Sequence, residues 1–319
     1  MKVDRIWVAA LTQHFHGAGD PQTADKIYLS VESGGAEIFR ARLAANPDGG
    51  FARGRANLVS IETPGLVLDA PPFSRSSVRI GVEGDDAWQP SHLFVWAETA
   101  QSLLPKPFIF PLALESDWGT TLSTDPSEGA ANAELSAIAR GERNMRISRL
   151  LFIVSNHPIP SGTYAQHKPE FVEGKLGLLV NSENRLLVSA MIGDTPQDAV
   201  LKPRGSYYSD AETIAARSNY YQPHVIQPFS RDALGPGSIA AIKRGGDYWW
   251  PQHLFVFGLN ARFGRHSQIV PLVYLPNWGN TAGMPLSFDA TTGEIMAPLP
   301  LVDEGIDVSD LNLDTEFPT

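Results

Sequence analysis

Residues 86–95 read Asp-Ala-Trp-Gln-Pro-Ser-His-Leu-Phe-Val, and residues 247–256 read Asp-Tyr-Trp-Trp-Pro-Gln-His-Leu-Phe-Val. Asp86, Trp88, Pro90, His92, Leu93, Phe94 and Val95 recur at Asp247, Trp249, Pro251, His253, Leu254, Phe255 and Val256, each 161 residues later. The likeness extends outward. Pro111-Leu112 answers Pro271-Leu272, Trp118-Gly119 answers Trp278-Gly279, and Pro72-Phe73-Ser74-Arg75 answers Pro228-Phe229-Ser230-Arg231. Further back, Lys26 to Val31 fits Lys175 to Val180 by similarity. Solenoid repeats run to about 20–50 residues, so a period this long predicts a tandem duplication of a whole domain.

Around these landmarks the chain alternates apolar and polar residues over short stretches. Arg5 to Ala10, Lys26 to Val31, Ile38 to Leu43, Val78 to Val82 and Leu93 to Trp96 are read as strands in the first half. Arg149 to Val154, Lys175 to Val180, Leu186 to Ala190, Ile239 to Ile242 and Leu254 to Phe257 follow in the second. Period two is the mark of a strand with one buried face, and the 28 glycines and 25 prolines are dispersed between the runs as turns. The expected fold is all-β, two antiparallel β-sandwich modules in tandem. Module one spans 1–125, a linker 126–144, module two 145–302 and an acidic tail 303–319. Leu135 and Ile138, three apart in an alanine-rich stretch, predict a short amphipathic helix in the linker. Ser209 followed three residues later by Glu212 has capping-box spacing and predicts a helical insertion near 209–216.

Net charge is -10, with six acids and no base in the tail and no Lys/Arg-rich stripe, so no nucleic-acid partner is expected. There are no cysteines, which removes disulfides and thiolate chemistry. No apolar run is long enough to span a bilayer and none follows Met1, so the protein is expected to be cytoplasmic, or exported without a classical signal peptide.

Module one resembles the PLAT, or lipoxygenase-homology, β-sandwich family. The likeness rests on Gly17-Ala18-Gly19-Asp20, Asp25-Lys26-Ile27-Tyr28-Leu29, Gly50-Phe51-Ala52-Arg53-Gly54, and the run from Val78 through Asp85-Asp86 to Trp88. It covers about 95 residues of module one, and its motifs are diffuse. The resemblance implies binding of lipid surfaces or protein partners, in some members with calcium. Module two keeps Asp247 and Trp249 but lacks counterparts of the paired acids, which weakens the case for calcium there.

The sequence offers several candidate sites. Asp85 and Asp86 stand in a turn where their oxygens and those of Glu83 could converge on a hard cation; the alternative is a solvated, self-capped turn. Asp20 and Asp25 are candidate ligands beside His14 and His16, which are two apart. Trp118 and Trp278 sit in polar, glycine-containing turns, either as exposed rings suited to sugar stacking or lipid insertion or as turn anchors. Tyr248 and Trp250 add to Trp249 the densest aromatic patch, and Tyr207 and Tyr208 flank the insertion. His92 and His253 read as fold residues, each with a ring nitrogen bonded to backbone. No Gly-x-Ser-x-Gly elbow, His-Glu-x-x-His array or phosphate-binding glycine loop is present. The expected function is therefore a non-catalytic binding protein recognising a lipid surface, carbohydrate or protein partner. An enzyme with a non-local site at the module interface, lined by His14, His16, Asp25 or His224, and a structural subunit of an assembly are the alternatives.

Overall fold

The structure is a computed structural model that describes residues 2–13, 23–43, 51, 56–68, 76–99, 108–116, 118–156, 175–182, 185–192, 218–221, 224–244, 251–262, 265–277 and 294–302. Among the described residues the regular structure is strand, apart from a single 3-10 turn at Arg231–Ala233. No helix among them is long and apolar enough to cross a membrane.

In the first half, β1 (Lys2–Thr12), β4 (Ala56–Val67), β6 (Pro90–Thr99) and β7 (Phe108–Ser116) pair in the order β7-β6-β1-β4. Facing them, β2 (Lys26–Ser33), β3 (Ala36–Leu43), β5 (Ser76–Glu83) and β8 (Asn132–Glu134) form a small sheet in the order β3-β2-β5-β8. Ile6, Val8 and Ala10 pack with Ile27, Leu29, Val31 and Ile80 in the core between the sheets. The β2–β3 hairpin turns on Gly34 and Gly35, both left-handed (φ 60° and 82°), the conformation a two-residue hairpin loop needs.

The second half follows the same scheme. β10 (Ile147–Asn156), β13 (Ser218–Tyr221), β14 (His224–Phe229), β16 (Pro251–Arg262) and β17 (Arg265–Leu275) lie in the large sheet, with β13 and β14 both pairing with β10. β11 (Lys175–Ser182), β12 (Arg185–Ile192), β15 (Ile239–Arg244) and β18 (Glu294–Pro298) form the opposing sheet in the order β12-β11-β15-β18. Leu150, Phe152 and Val154 meet Leu178, Val180, Ile239 and Ala241 in its core. The registers correspond closely. Leu11 opposes His92 and, after an irregularity, Thr12 opposes Pro90; Ser155 opposes His253 and, after the same irregularity, Asn156 opposes Pro251.

A third core lies between the halves. Residues of β1, β6, β10 and β16 that point away from their own sandwich meet there: Trp7 and Phe94 with Trp96, Leu151 and Ile153 with Phe255 and Phe257. Trp96 stacks on Phe94 (ring centroids 4.8 Å apart) and meets Phe255 and Phe257 edge-on at 5.3 and 5.4 Å. These strands are thus buried on both faces. On one flank Ser218 pairs with Ala56, joining the halves into a ten-stranded sheet. On the other, Ala137 bridges Ala113 of β7, and β9 (Ala139–Arg140) runs parallel to β17, so the large sheet closes on itself around the shared core.

The linker is extended, not helical as its spacing predicts. β8 adds to the small sheet of half one, and Leu135 then enters the half-one core, Ile138 the shared core and Met145 the half-two core. In an extended chain residues three apart point to opposite sides, so the Leu135/Ile138 spacing serves two cores at once, where a helix would place both on one face. The 209–216 insertion and the 303–319 tail lie outside the described residues.

Candidate functional site

Strict alternation in β2 and β5 gives the small sheet of half one a dry inner face and a polar outer one. Ile27, Leu29 and Val31 are buried, while Tyr28, Ser30 and Glu32 alternate with them. On β5, Val78, Ile80 and Val82 are buried, and Arg79, Gly81 and Glu83 lie between. Register then decides who meets whom. Ser30 sits between Arg40 of β3 and Arg79 of β5, and Tyr28 between Arg42 and Gly81. A register shift between Val31 and Glu32 sets Glu37 opposite Glu32, on the same outer face. Two of the smallest residues, Ser30 and Gly81, therefore floor a groove of about 600 Å³ walled by Arg40, Arg79, Glu32 and Glu37.

The walls are held in place by one another. Arg40 lies over the Tyr28 ring, 4.6 Å from its centroid, pairs with Glu83 and stands 3.8 Å from Glu37. Arg79 donates to the Asn132 side-chain oxygen and lies 3.6 Å from Glu32 and 3.9 Å from Glu134. Half-exposed pairs of this kind add roughly 0–1 kcal/mol each to stability, so their main consequence is orientation. At the groove's end Thr124 donates to the Gly84 carbonyl, and the hydroxyl and amide of Ser127 hold Asp125 below the ordinary carboxylate range.

Two of the acids expected as metal ligands, Asp25 and Glu83, are engaged by other groups. The Asp86 amide donates to the Asp25 carboxylate at 2.6 Å, and that carboxylate lies so close to Gly84 (φ 143°) that a Cβ there would collide with it. Glu83 turns to Arg40. Asp85 is exposed, and among the described residues no three His, Asp or Glu side chains gather to hold an ion. Asp25 thus caps the turn at Asp85 and Asp86, and Asp20 lies outside the described residues.

Among the aromatic candidates, Trp118 is half-buried against the half-one core, and its amide donates to the Ser91 carbonyl, which makes it a turn anchor. Trp278, Tyr248, Trp250, Tyr207 and Tyr208 lie outside the described residues, as does Trp249. Trp88 is fully buried against Phe51 and donates to the Thr12 hydroxyl. His92 is buried with Nδ1 beside the Ser91 hydroxyl, and His253 Nδ1 bonds the Pro276 carbonyl.

The interface between the halves is a packed core and not a cleft among the described residues; His14, His16 and the His224 side chain lie outside them. Its edge carries a polar knot that sequence reasoning missed. The Tyr274 hydroxyl of half two donates to Glu98 of half one at 2.6 Å, and Trp7 Nε1 donates to the same oxygen at 3.1 Å. Burial pushes the Tyr274 hydroxyl well above its usual pKa, and the Glu98 charge adds to the shift. Burial opposes the charge of Arg5, but its bond to Glu62 and the charges of Glu98 and Glu62 outweigh that and raise its pKa. Sequence reasoning also missed Tyr28, Arg40 and Arg79. Their signal was available in the polar positions of the alternating strands, though not the register that gathers them. No family model, no curated protein and no solved structure matches this chain.

Proposed function

We propose that the protein is a non-catalytic binding protein built from two copies of one sandwich module, and that half one recognises the ligand while half two braces it. The carrying observation is the groove on β3-β2-β5-β8, whose charged walls are oriented by mutual contacts before any ligand arrives. Preorganised polar groups on strands favour recognition, because little side-chain freedom is lost on binding. The corresponding registers of β1/β6 and β10/β16 support the duplication. Bracing follows from the shared core, which occupies the outward faces of both large sheets.

The test is a binding panel of neutral oligosaccharides, an anionic polysaccharide, an oligolysine peptide and anionic-lipid vesicles, run on the full chain and on the Arg40→Ala/Arg79→Ala double variant. At least one probe should bind and lose affinity in the variant. A panel in which the variant matches the parent on every probe would sink the proposal.

A further inference from the structure

We infer that the ligand class of this groove is a neutral saccharide chain; the inference rests on the groove being the recognition site. Arg40 and Arg79 are donor-only, while Glu32, Glu37 and Glu83 are acceptor-only, and all five line one groove. Two guanidiniums against three carboxylates leave a single net negative charge. An anionic ligand would meet the carboxylates, a cationic one the guanidiniums, and an apolar one would strip water from both without replacing its hydrogen bonds. A sugar hydroxyl donates and accepts at once, so neighbouring hydroxyls on a pyranose ring satisfy both kinds of wall.

Dimensions agree with this. Adjacent strands are about 4.8 Å apart, so the backbones that carry Arg40 and Arg79, one strand to either side of Ser30, stand roughly 10 Å apart, and Arg40 reaches over Tyr28 to Glu83. The volume of about 600 Å³ falls within the ordinary range of small-ligand sites. Arg40 already covers one face of Tyr28, so recognition here works through directed hydrogen bonds, with ring stacking secondary. The bonds to charged side chains are the stronger kind, which lets a few of them hold a solvated ligand.

The experiment is calorimetric titration of the full chain with hexasaccharides of glucose, N-acetylglucosamine, mannose and xylose, beside oligogalacturonate, oligolysine and anionic-lipid vesicles. At least one neutral hexasaccharide should bind, with affinity nearly independent of salt. Arg79→Ala and Arg40→Ala should each weaken it about tenfold, the loss of one charge-assisted hydrogen bond, with thermal melting nearly unchanged. Groove-dependent binding of a charged probe alone would overturn the saccharide assignment and leave the binding role standing. Saccharide binding indifferent to both variants, or no binding by any probe, would overturn both.

Discussion

The outer faces of the two small sheets occupy corresponding places in the two halves and differ in chemistry. In half one the row across the sheet is Arg40, Ser30 and Arg79, with Gly81 next along β5. In half two the corresponding row is Ser189, Leu179 and Ala240, with Ile242 next along β15. Arg40 and Arg79 keep 45% and 29% of their side chains exposed, whereas Ala240 and Ile242 are 5% and 3% exposed. The inward positions, by contrast, match in kind: Leu29 and Val31 on one side, Leu178 and Val180 on the other. Each sandwich must fill a core, which restricts its inner residues to apolar types; the outer residues answer only to what lies over them. Half one presents a polar groove there, whereas in half two Ala240 and Ile242 are buried, with the exposed Met296 beside Ile242 on the neighbouring strand.

Exchanging the two rows is the harshest way to break this comparison. Ala240→Arg puts an unpaired guanidinium where Arg79 stands in half one, but in a buried setting. The expected cost is about 3–5 kcal/mol, that of an uncompensated buried charge, and a large share of a domain's total stability. Denaturant unfolding measures it. An Ala240→Arg chain as stable as the parent would mean that the outer face of half two is open after all, and the contrast between halves would lapse.

The next largest effects concern what the halves share. Leu135 and Ile138 are both almost fully buried, one in the half-one core and the other between the halves. Truncating either to alanine should cost about 2–4 kcal/mol. Hydrogen exchange should separate them: Leu135→Ala should loosen β2, β5 and β8, and Ile138→Ala should loosen β7 and β17 together. If Ile138→Ala changed exchange in β7 alone, the shared core would not couple the halves.

This connector also marks where reading the sequence stopped. The all-β class, the strands and their landmarks followed from alternation and from the repeated Trp-x-Pro-x-His-Leu-Phe-Val segment, because half-buried strands write their burial into period two. Strands buried on both faces do not. Ile6-Trp7-Val8-Ala9-Ala10-Leu11 has no polar alternate, and neither has Leu93-Phe94-Val95-Trp96, yet both were expected to be ordinary one-faced strands. Those unbroken apolar runs were the signal of a second packing face. The linker helix failed for a related reason, since an i, i+3 apolar pair fits a helix face and equally an extended chain threading two cores. The groove stayed hidden because Arg40, Ser30 and Arg79 are distant in sequence and become neighbours only through strand register.

Tyr274→Phe sharpens the account of how the halves are locked. It leaves the ring packed against Phe255 and removes the hydroxyl that Glu98 accepts from, so about 1–2 kcal/mol should be lost. The pH dependence has a definite sign. The folded-state pKa of Tyr274 lies above that of an unfolded tyrosine, so its contribution is complete below about pH 10 and declines as pH rises toward the folded value. The parent should therefore lose stability above about pH 10 more steeply than Tyr274→Phe does. Parallel alkaline curves would show that the hydroxyl is not buried against Glu98.

The smallest expected effect is the most informative about function. Arg79→Ala removes a partly exposed guanidinium from Glu32, Glu134 and Asn132, and scattered contacts of this type sum to about 1 kcal/mol or less. A near-silent melting curve beside a clear loss of ligand affinity would mean that these charges are arranged for a partner. A loss above about 2 kcal/mol would instead show that β8 depends on the Arg79–Asn132 bond to stay on the sheet. The groove walls would then be a consequence of attaching the connector, and the polar face of half one would be as structural as the apolar face of half two.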